Sequence, residues 1–475
     1  MSRTKIVCTI GPASKSLKVL RELIRNGMNM ARLNFSHGDH ADHLKLLNNI
    51  REAAKLEKQT VAILQDLQGP RIRIGSIEKK GRMLKNGDKV VMTTSSVPAT
   101  SKKLPITYDK LHLEIKKGHR ILIVDGLIEL SVLNVKGKDI ETEVVIGGLV
   151  ETHKGVNLPD TDVRIPPLTE KDKTDALWGM KNKVDYMALS FVRCAKDVED
   201  LRKIIVKNSL KDEVVQVKII VKIERKEAID NINEIIDATD AVMVARGDLG
   251  IELPPEDIPL LQKMMIERCM EKAKPVIVAT QMLESMIKNP RPTRAEISDV
   301  ANAVIDHSDA TMLSGESANG AYPVEAVSFM HKTLEKTEAS AYDDLDVKRY
   351  HKKFVSNDEA ISQIVNILAG SIKAKAILVY TVTGQESRII SRYRPELPIY
   401  VACHDFRLQR QLQLSWGLEP MVIPMCQNID EFLEIAIEKL KIEKQLKKND
   451  KVIVIANQPL NEVGDMNFVE IKTVE

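Results

Sequence analysis

KIIVKIE at 218–224 and VMVARGDLG at 242–250 are two apolar runs that each end abruptly in charge. The first delivers Lys222 and Glu224, the second Arg246 and Asp248. Residues i and i+2 of a strand share a face, so Lys222 and Glu224 point the same way. An ammonium beside two carboxylates at strand ends suits a divalent-metal site for phosphate chemistry. Carboxylate oxygens take Mg²⁺, and the lysine neutralises substrate charge. An ordinary ion pair at the rim of a sheet would look the same in these segments alone.

The neighbouring runs separate the two possibilities. KIVCTI (5–10), MNMARLNFS (28–36), VAILQDL (61–67), YMALSFV (186–192), PVIVATQ (275–281) and DATMLSG (309–315) have the same texture. Amphipathic stretches lie between most of them, such as LKVLRELIRNG (17–27) and IPLLQKMMIERCMEKAK (258–274). In the former, Leu17, Leu20, Leu23 and Ile24 share a face and Gly27 suits the helix end. With AVMVARGDL at 241–249, the near-continuous apolar strands number eight. They predict a closed parallel (β/α)8 TIM barrel rather than a doubly wound open sheet, with the active site at the C-terminal strand ends.

After the third strand the rhythm breaks at QGPRIRIG. About ninety residues of short, turn-punctuated apolar runs follow, up to HKGVNLP. They predict a small β-barrel or sandwich inserted in a barrel loop, placed as a lid. Beyond residue 340, AILVYT (376–381), PIYVACH (398–404), PMVIP (420–424), KVIVIAN (451–457) and FVEIKTV (468–474) predict a C-terminal α/β domain. Its sheet is expected to be mostly parallel with one antiparallel edge. SAYDDLDVKRYHKKF (340–354) reads as linker. The expected boundaries are 1–69 and 166–340 for the barrel, 70–165 for the insertion and 341–475 for the C-terminal domain.

The 70 basic and 67 acidic residues leave a charge of +3, which argues against a nucleic-acid binder that works through bulk charge. No apolar stretch approaches the ~20 residues of a membrane span. The five cysteines are scattered without CxxC spacing and read as reduced thiols of a cytoplasmic protein.

The strand ends collect into one set. The second strand supplies Arg32, Asn34, Ser36 and His37; the third supplies Asp66, then Arg71 and Arg73. The fifth and sixth supply Lys222, Glu224, Arg246, Gly247 and Asp248; the seventh and eighth supply Thr280, Gln281, Ser314 and Glu316. Metal ligands, phosphate-grade cations and hydroxyls, without a Ser-His-Asp grouping, fit phosphoryl transfer, which asks mainly for positioning and charge neutralisation. No Walker-type GxxxxGK[ST] is present, so this is not a P-loop kinase.

These segments resemble pyruvate kinases along essentially the whole chain. The matching stretches are TKIVCTIGPAS, GMNMARLNFSHGDH, DLQGPRIRIG, HKGVNLP, IIVKIE, VMVARGDLGIE, IVATQMLESMIKNPRPTRAE and DATMLSGESANGAYPVEAV. The resemblance implies transfer of a phosphoryl group from phosphoenolpyruvate to ADP, giving pyruvate and ATP. It implies Mg²⁺ on Glu224 and Asp248, and a second Mg²⁺ that travels with the nucleotide. It implies that Lys222 stabilises the transferring group and Arg32 contacts the phosphate. Backbone N–H groups of Gly247 and Asp248 bind the carboxylate, and Thr280 lies against the enol carbon, with Ser314 and Glu316 as neighbours in a proton relay. Asn34, His37, Arg73 and Lys154 approach the nucleotide, and a homotetramer is implied. Two other functions fit the same residues less fully: a Mg²⁺-dependent phosphoenolpyruvate or pyruvate lyase, and an inactive metabolite-sensing homologue.

The chain also departs from the family pattern. Many members read DTKGPE where residues 66–71 read DLQGPR. In those members K⁺ sits among the counterparts of Asn34, Ser36, Asp66 and Leu67, near the glutamate that is Arg71 here. A fixed guanidinium supplies the positive charge and repels a cation, so activity without K⁺ is expected. In TVTGQESR (381–388), Thr381, Thr383 and Ser387 form a hydroxyl-rich loop of the kind that holds sugar-phosphate activators in the family. Glu386 inside that loop should repel a phosphate, so a weak or absent response to fructose-1,6-bisphosphate is expected. Another sugar phosphate or a nucleotide remains open as effector.

Overall fold

The computed structural model describes residues 2–77, 81–95, 103–210, 214–345 and 356–475. All eight expected barrel strands form: Lys5–Thr9, Met28–Asn34, Ala62–Asp66, Tyr186–Leu189, Lys218–Ile223, Ala241–Ala245, Val276–Ala279 and Ala310–Leu313. Each pairs in parallel with its neighbours, and the eighth closes on the first with Lys5 opposite Ala310. Strands buried on both faces explain the unbroken apolar runs. Val7, Met30, Leu64, Ile220, Met243 and Met312 fill the interior. Their chain neighbours, such as Cys8, Ile63, Ile219 and Val244, pack outward against the helices.

Each strand stops one to four residues before its apolar run does. The largest shortfall is at 241–249, where the strand ends at Ala245 and Arg246–Glu252 is a helix. Asp248 is therefore in the first turn of a helix, not on a strand end. The cause is the neighbouring strand: Ala245 pairs with Ala279, and the next residue, Thr280, turns to a φ of +69°, so the ladder has no further partner. The helix expected at 17–27 forms as Leu17–Arg25, followed by Asn26 and then Gly27 at φ +109°. Leu20, Leu23 and Ile24 are buried there, but Leu17 in the first turn is exposed.

The insertion carries a six-stranded sheet in the order Val156–Asn157, Arg120–Ile123, Ile128–Lys136, Asp139–Ile146, Lys89–Thr93, Lys103–Pro105. The segment Ile72–Gly75 bonds to both of its edges: Val156 N–H to Ile72 O and Ile74 N–H to Lys154 O on one side, Thr107 N–H to Arg73 O and Gly75 N–H to Pro105 O on the other. That segment closes the sheet around its own core of Ile74, Met92, Ile121, Leu130 and Ile140.

The C-terminal α/β domain has the strand order Leu418–Val422, Ile399–Cys403, Ala376–Tyr380, Lys451–Ala456, Phe468–Thr473, with only the last antiparallel. It sits under the N-terminal ends of the barrel strands and sends Leu414 into the barrel's inner core. The charged stretch at 340–354 lies mostly outside the described residues. Among the described residues no helix is long and apolar enough to cross a membrane.

Candidate active site

A cleft of about 930 Å³ opens over the C-terminal ends of the strands. Arg32, Asn34, His37, Arg71, Lys222, Asp248, Thr280 and Ser314 line it, brought together from five strand ends and the insertion hinge. Asp66 and Glu224 lie beneath, almost wholly buried. Lys222 Nζ sits 2.7 Å from Glu224 Oε1, 2.9 Å from Ser190 Oγ and 3.7 Å from Asp66 Oδ1. Arg32 donates from Nε and Nη2 to Asp66 Oδ2, at 2.7 Å for Nε, and from Nη1 to Thr9 Oγ1 at 2.8 Å.

Burial sets the electrostatics and the partners correct it. Burial disfavours the charge on Lys222, but Asp66 and Glu224 overcome that and hold the ammonium above its ordinary value. Burial pushes the Asp66 carboxyl up, yet Arg32, Lys222 and Arg71 together hold it below the carboxylate range. Glu224 goes the other way: burial raises it, Lys222 only partly offsets this, and Asp248 adds to the rise. His37 is pushed down by burial and then by Arg71, Arg73 and Arg32, so the ring is neutral among guanidiniums.

The donor set can be tested against a divalent ion. Glu224 Oε1 and Asp66 Oδ1 are buried carboxylate oxygens outside the regular hydrogen-bond pattern, and both face the Lys222 ammonium, at 2.7 and 3.7 Å. Such an oxygen is costly to bury unless something binds it. Among the described residues no group of three or more His, Cys, Asp or Glu converges on one point. Glu224 and Asp248 offer two carboxylates of the oxygen type that Mg²⁺ takes, and that ion commonly fills its other positions with water and substrate oxygens.

Three of the oxygens expected for K⁺ already accept protein hydrogen bonds. Asn34 Oδ1 accepts from Ser36 N at 3.1 Å, Leu67 O accepts from Ser190 Oγ at 2.9 Å, and Asp66 Oδ2 is taken by Arg32. Arg71 is exposed, and its charge acts on both Asp66 and His37. Arg73 and Lys154 stand outside the cleft lining on the inserted sheet. Arg73 donates to His153 O at 2.8 Å, and Lys154 pairs with Glu151 at 3.1 Å.

Around Thr280 the backbone is unusual. Gly247 N–H donates to Thr280 Oγ1 at 2.7 Å, and that hydroxyl donates to Ala279 O at 2.6 Å. Glu316 is fully buried and accepts from Leu283 N at 3.0 Å and Ser314 N at 2.8 Å. With each oxygen accepting a backbone N–H, it ties the last two loops together. Sequence reasoning passed over Thr9 and Ser190, which hold Arg32 and Lys222. Both are hydroxyls at the ends of the first and fourth strands, and the eightfold layout alone pointed to those positions.

In the 381–388 loop the hydroxyls turn inward. Thr381 Oγ1 donates to the Glu386 carboxylate and accepts from Gly384 N at 2.7 Å, and Ser387 donates to Gly384 O at 2.8 Å. Thr383 Oγ1 accepts from Gln385 N at 3.3 Å. Glu386 is buried, which pushes its carboxyl up.

Two family models match this chain: "Pyruvate kinase, barrel domain" over residues 1–327 and "Pyruvate kinase, alpha/beta domain" over residues 359–472. A pyruvate kinase of Geobacillus stearothermophilus is 43% identical over 475 residues, covering 99% of this chain and 80% of its own length. One from Clostridium perfringens is 42% identical over 478 residues and is covered from end to end. The crystal structure of a pyruvate kinase from Cryptosporidium parvum superposes with a TM-score of 0.92 at 38% identity, covering 99% of this chain and 96% of the other.

Proposed function

The chain belongs to the pyruvate kinase family and is a phosphotransferase of that type, and from this premise we propose that it moves the phosphoryl group of phosphoenolpyruvate to ADP, without needing K⁺. The observation that supports the reading most is Lys222, held between Glu224 and Asp66 at the floor of a cleft that Arg32 and Thr280 share.

Arg32 spends three of its five N–H groups on Asp66 and Thr9, so its plane is fixed and two remain for a phosphate. Lys222, kept charged, faces the group in transfer and the enolate left behind. Mg²⁺ on Glu224 and Asp248 would offset the negative charge of the gathered oxyanions, and a second would arrive with the nucleotide. The substrate carboxylate is assigned to the Gly247 and Asp248 N–H groups; it would displace the Thr280 hydroxyl from Gly247 N. Thr280 then lies free to serve at the enol carbon. Asn34 and neutral His37 face the nucleotide phosphates, and residues 70–165, acting as a lid, would bring Arg73 and Lys154 to them.

K⁺ independence rests on Arg71. It stands where a glutamate would complete the ion's surroundings, and three of the oxygens concerned already accept protein hydrogen bonds. A coupled assay of ATP formation with Mg²⁺ in tetramethylammonium chloride should run at full rate; strong activation by KCl would sink the idea. Arg71→Glu should lose about tenfold without K⁺, or ~1.4 kcal/mol of barrier, and recover it in KCl. The same assay separates a kinase from a lyase or an inactive sensor, because only a kinase makes ATP.

We also assign residues 341–475 a regulatory role without a fructose-1,6-bisphosphate response, since the Glu386 carboxylate takes the Thr381 hydroxyl and the Ser387 hydroxyl is spent on Gly384 O. Half-saturating phosphoenolpyruvate should not move when the bisphosphate is added. A cytoplasmic homotetramer follows from the family alone, and light scattering reads the oligomer directly.

A further inference from the structure

Thr280 holds a φ of +69° and Gln281 one of +56°. Two successive non-glycine residues in the left-handed region, the first β-branched, are sterically costly and persist only where their surroundings over-determine them. One side chain supplies that restraint. Arg246 Nη2 donates to Thr280 O at 2.8 Å and reaches Met282 Sδ, and Nε points to Ala279 O at 3.4 Å. Nη1 and the same Nη2 also donate to the two oxygens of Asp299, each at 2.7 Å. Asp299 stands on the helix Arg294–Ile305, and neither it nor Arg246 lines the cleft.

We infer that the Arg246–Asp299 pair is a positioning device for the Thr280 hydroxyl: Asp299 fixes the guanidinium, and the guanidinium fixes the turn that aims Thr280. A plain tie between two helices would need only the bidentate pair. Here Nε and Nη2 also reach Ala279 O, Thr280 O and Met282 Sδ, three members of the 279–282 turn, while Nη1 reaches Gln262 Oε1 at 3.4 Å. The bidentate geometry fixes the guanidinium plane, which a lysine could not do. Arg246 also begins the helix whose next residues are Gly247 and Asp248, so one clamp sets the Thr280 hydroxyl against the Gly247 N–H.

This inference rests on the reading that Thr280 serves the proton step at the enol carbon. The experiment is a double-mutant cycle of Asp299→Asn and Thr280→Val, with Arg246→Lys as a second clamp variant. Two rates are followed: ATP formation, and exchange of pyruvate methyl hydrogens for solvent deuterium with ATP and Mg²⁺ present. Asp299→Asn should slow methyl exchange about tenfold, since small misplacements of a reacting group cost that much or more. It should leave KM for phosphoenolpyruvate unchanged and add almost nothing in the Thr280→Val background. Equal losses in both backgrounds, or a fall in both rates that simply follows a lower melting temperature, would overturn the clamp. If Thr280→Val alone leaves exchange intact, the reading of Thr280 fails first and the clamp has nothing to position.

Discussion

At the N-terminal ends of the barrel strands, Asp185 and Asp309 are buried carboxylates whose oxygens all accept. Asp185 takes Arg410 Nε at 2.8 Å, Arg51 Nη2 at 3.2 Å and Ile63 N at 2.8 Å. Asp309 takes Arg394 Nη1 at 3.1 Å, Trp416 N at 3.0 Å and Val276 N at 3.1 Å. Arg394, Arg410 and Trp416 come from the C-terminal domain, so these charges join two domains. At the opposite mouth Asp66 and Glu224 are as deeply buried, but each has one oxygen that faces the Lys222 ammonium and accepts from no backbone N–H or guanidinium. The difference separates two uses of buried charge. Where every oxygen is satisfied, the cost of removing water has been met by protein and the result is architecture. Where an oxygen faces one shared ammonium, that cost is met only in part, and a ligand can meet the rest.

The contrast predicts opposite consequences at the two ends. Glu224→Gln should lower ATP formation by about a thousandfold, because it removes a carboxylate that would hold Mg²⁺ beside the reacting oxyanions. It should leave the urea midpoint unchanged or raised, since burial already disfavours that carboxylate's charge. Arg394→Ala should do the reverse. It leaves the Asp309 charge buried without its main cation, a loss of about 3–5 kcal/mol, while the folded fraction still turns over near the parent rate. If Glu224→Gln unfolds the protein as readily as Arg394→Ala, the two mouths do not differ as described.

Much of this was legible in the residues, and the parts that were not have physical causes. The eight apolar runs specified the barrel because strands buried on both faces need unbroken apolar sequence, and Lys222, Glu224 and Arg32 stood out against it. The helix at Arg246–Glu252 was hidden, since its start depends on where a neighbouring strand turns and not on the run VMVARGDLG. Thr9 and Ser190 were missed because a hydroxyl at a strand end carries no charge signal. The inward turn of Thr381 and Ser387 was equally out of reach: a serine or threonine in a loop satisfies itself or a ligand with the same atoms, and only coordinates tell which. The link between Asp185 and Arg410, 225 residues apart, is a tertiary fact with no local pattern.

One carboxylate at the architectural end does not follow its neighbours, and it offers the finest test. Asp343 is buried, its Oδ1 accepts no hydrogen bond, and burial, then Glu396 and Glu338, push its carboxyl up to about 6 against the pull of Arg3. Arg3 is already committed: its Nη1 lies 2.7 Å from Glu396, and its backbone N–H donates to Glu338 at 2.8 Å. The folded value lies above the ordinary 3.8 of the unfolded chain, so between the two the folded state holds a proton that the unfolded state has lost. Stability from this group is thus complete below the unfolded value and is lost as pH rises through about 6. Asp343→Asn, which mimics the protonated acid, should be more stable than the parent at pH 8 by about 1 kcal/mol after allowance for solvent screening, and the gap should close towards pH 5. Urea midpoints of the two proteins across that range measure it. A gap that is constant with pH would mean that Asp343 finds a partner as good as those of Asp185 and Asp309, and that the barrel's lower mouth is satisfied throughout.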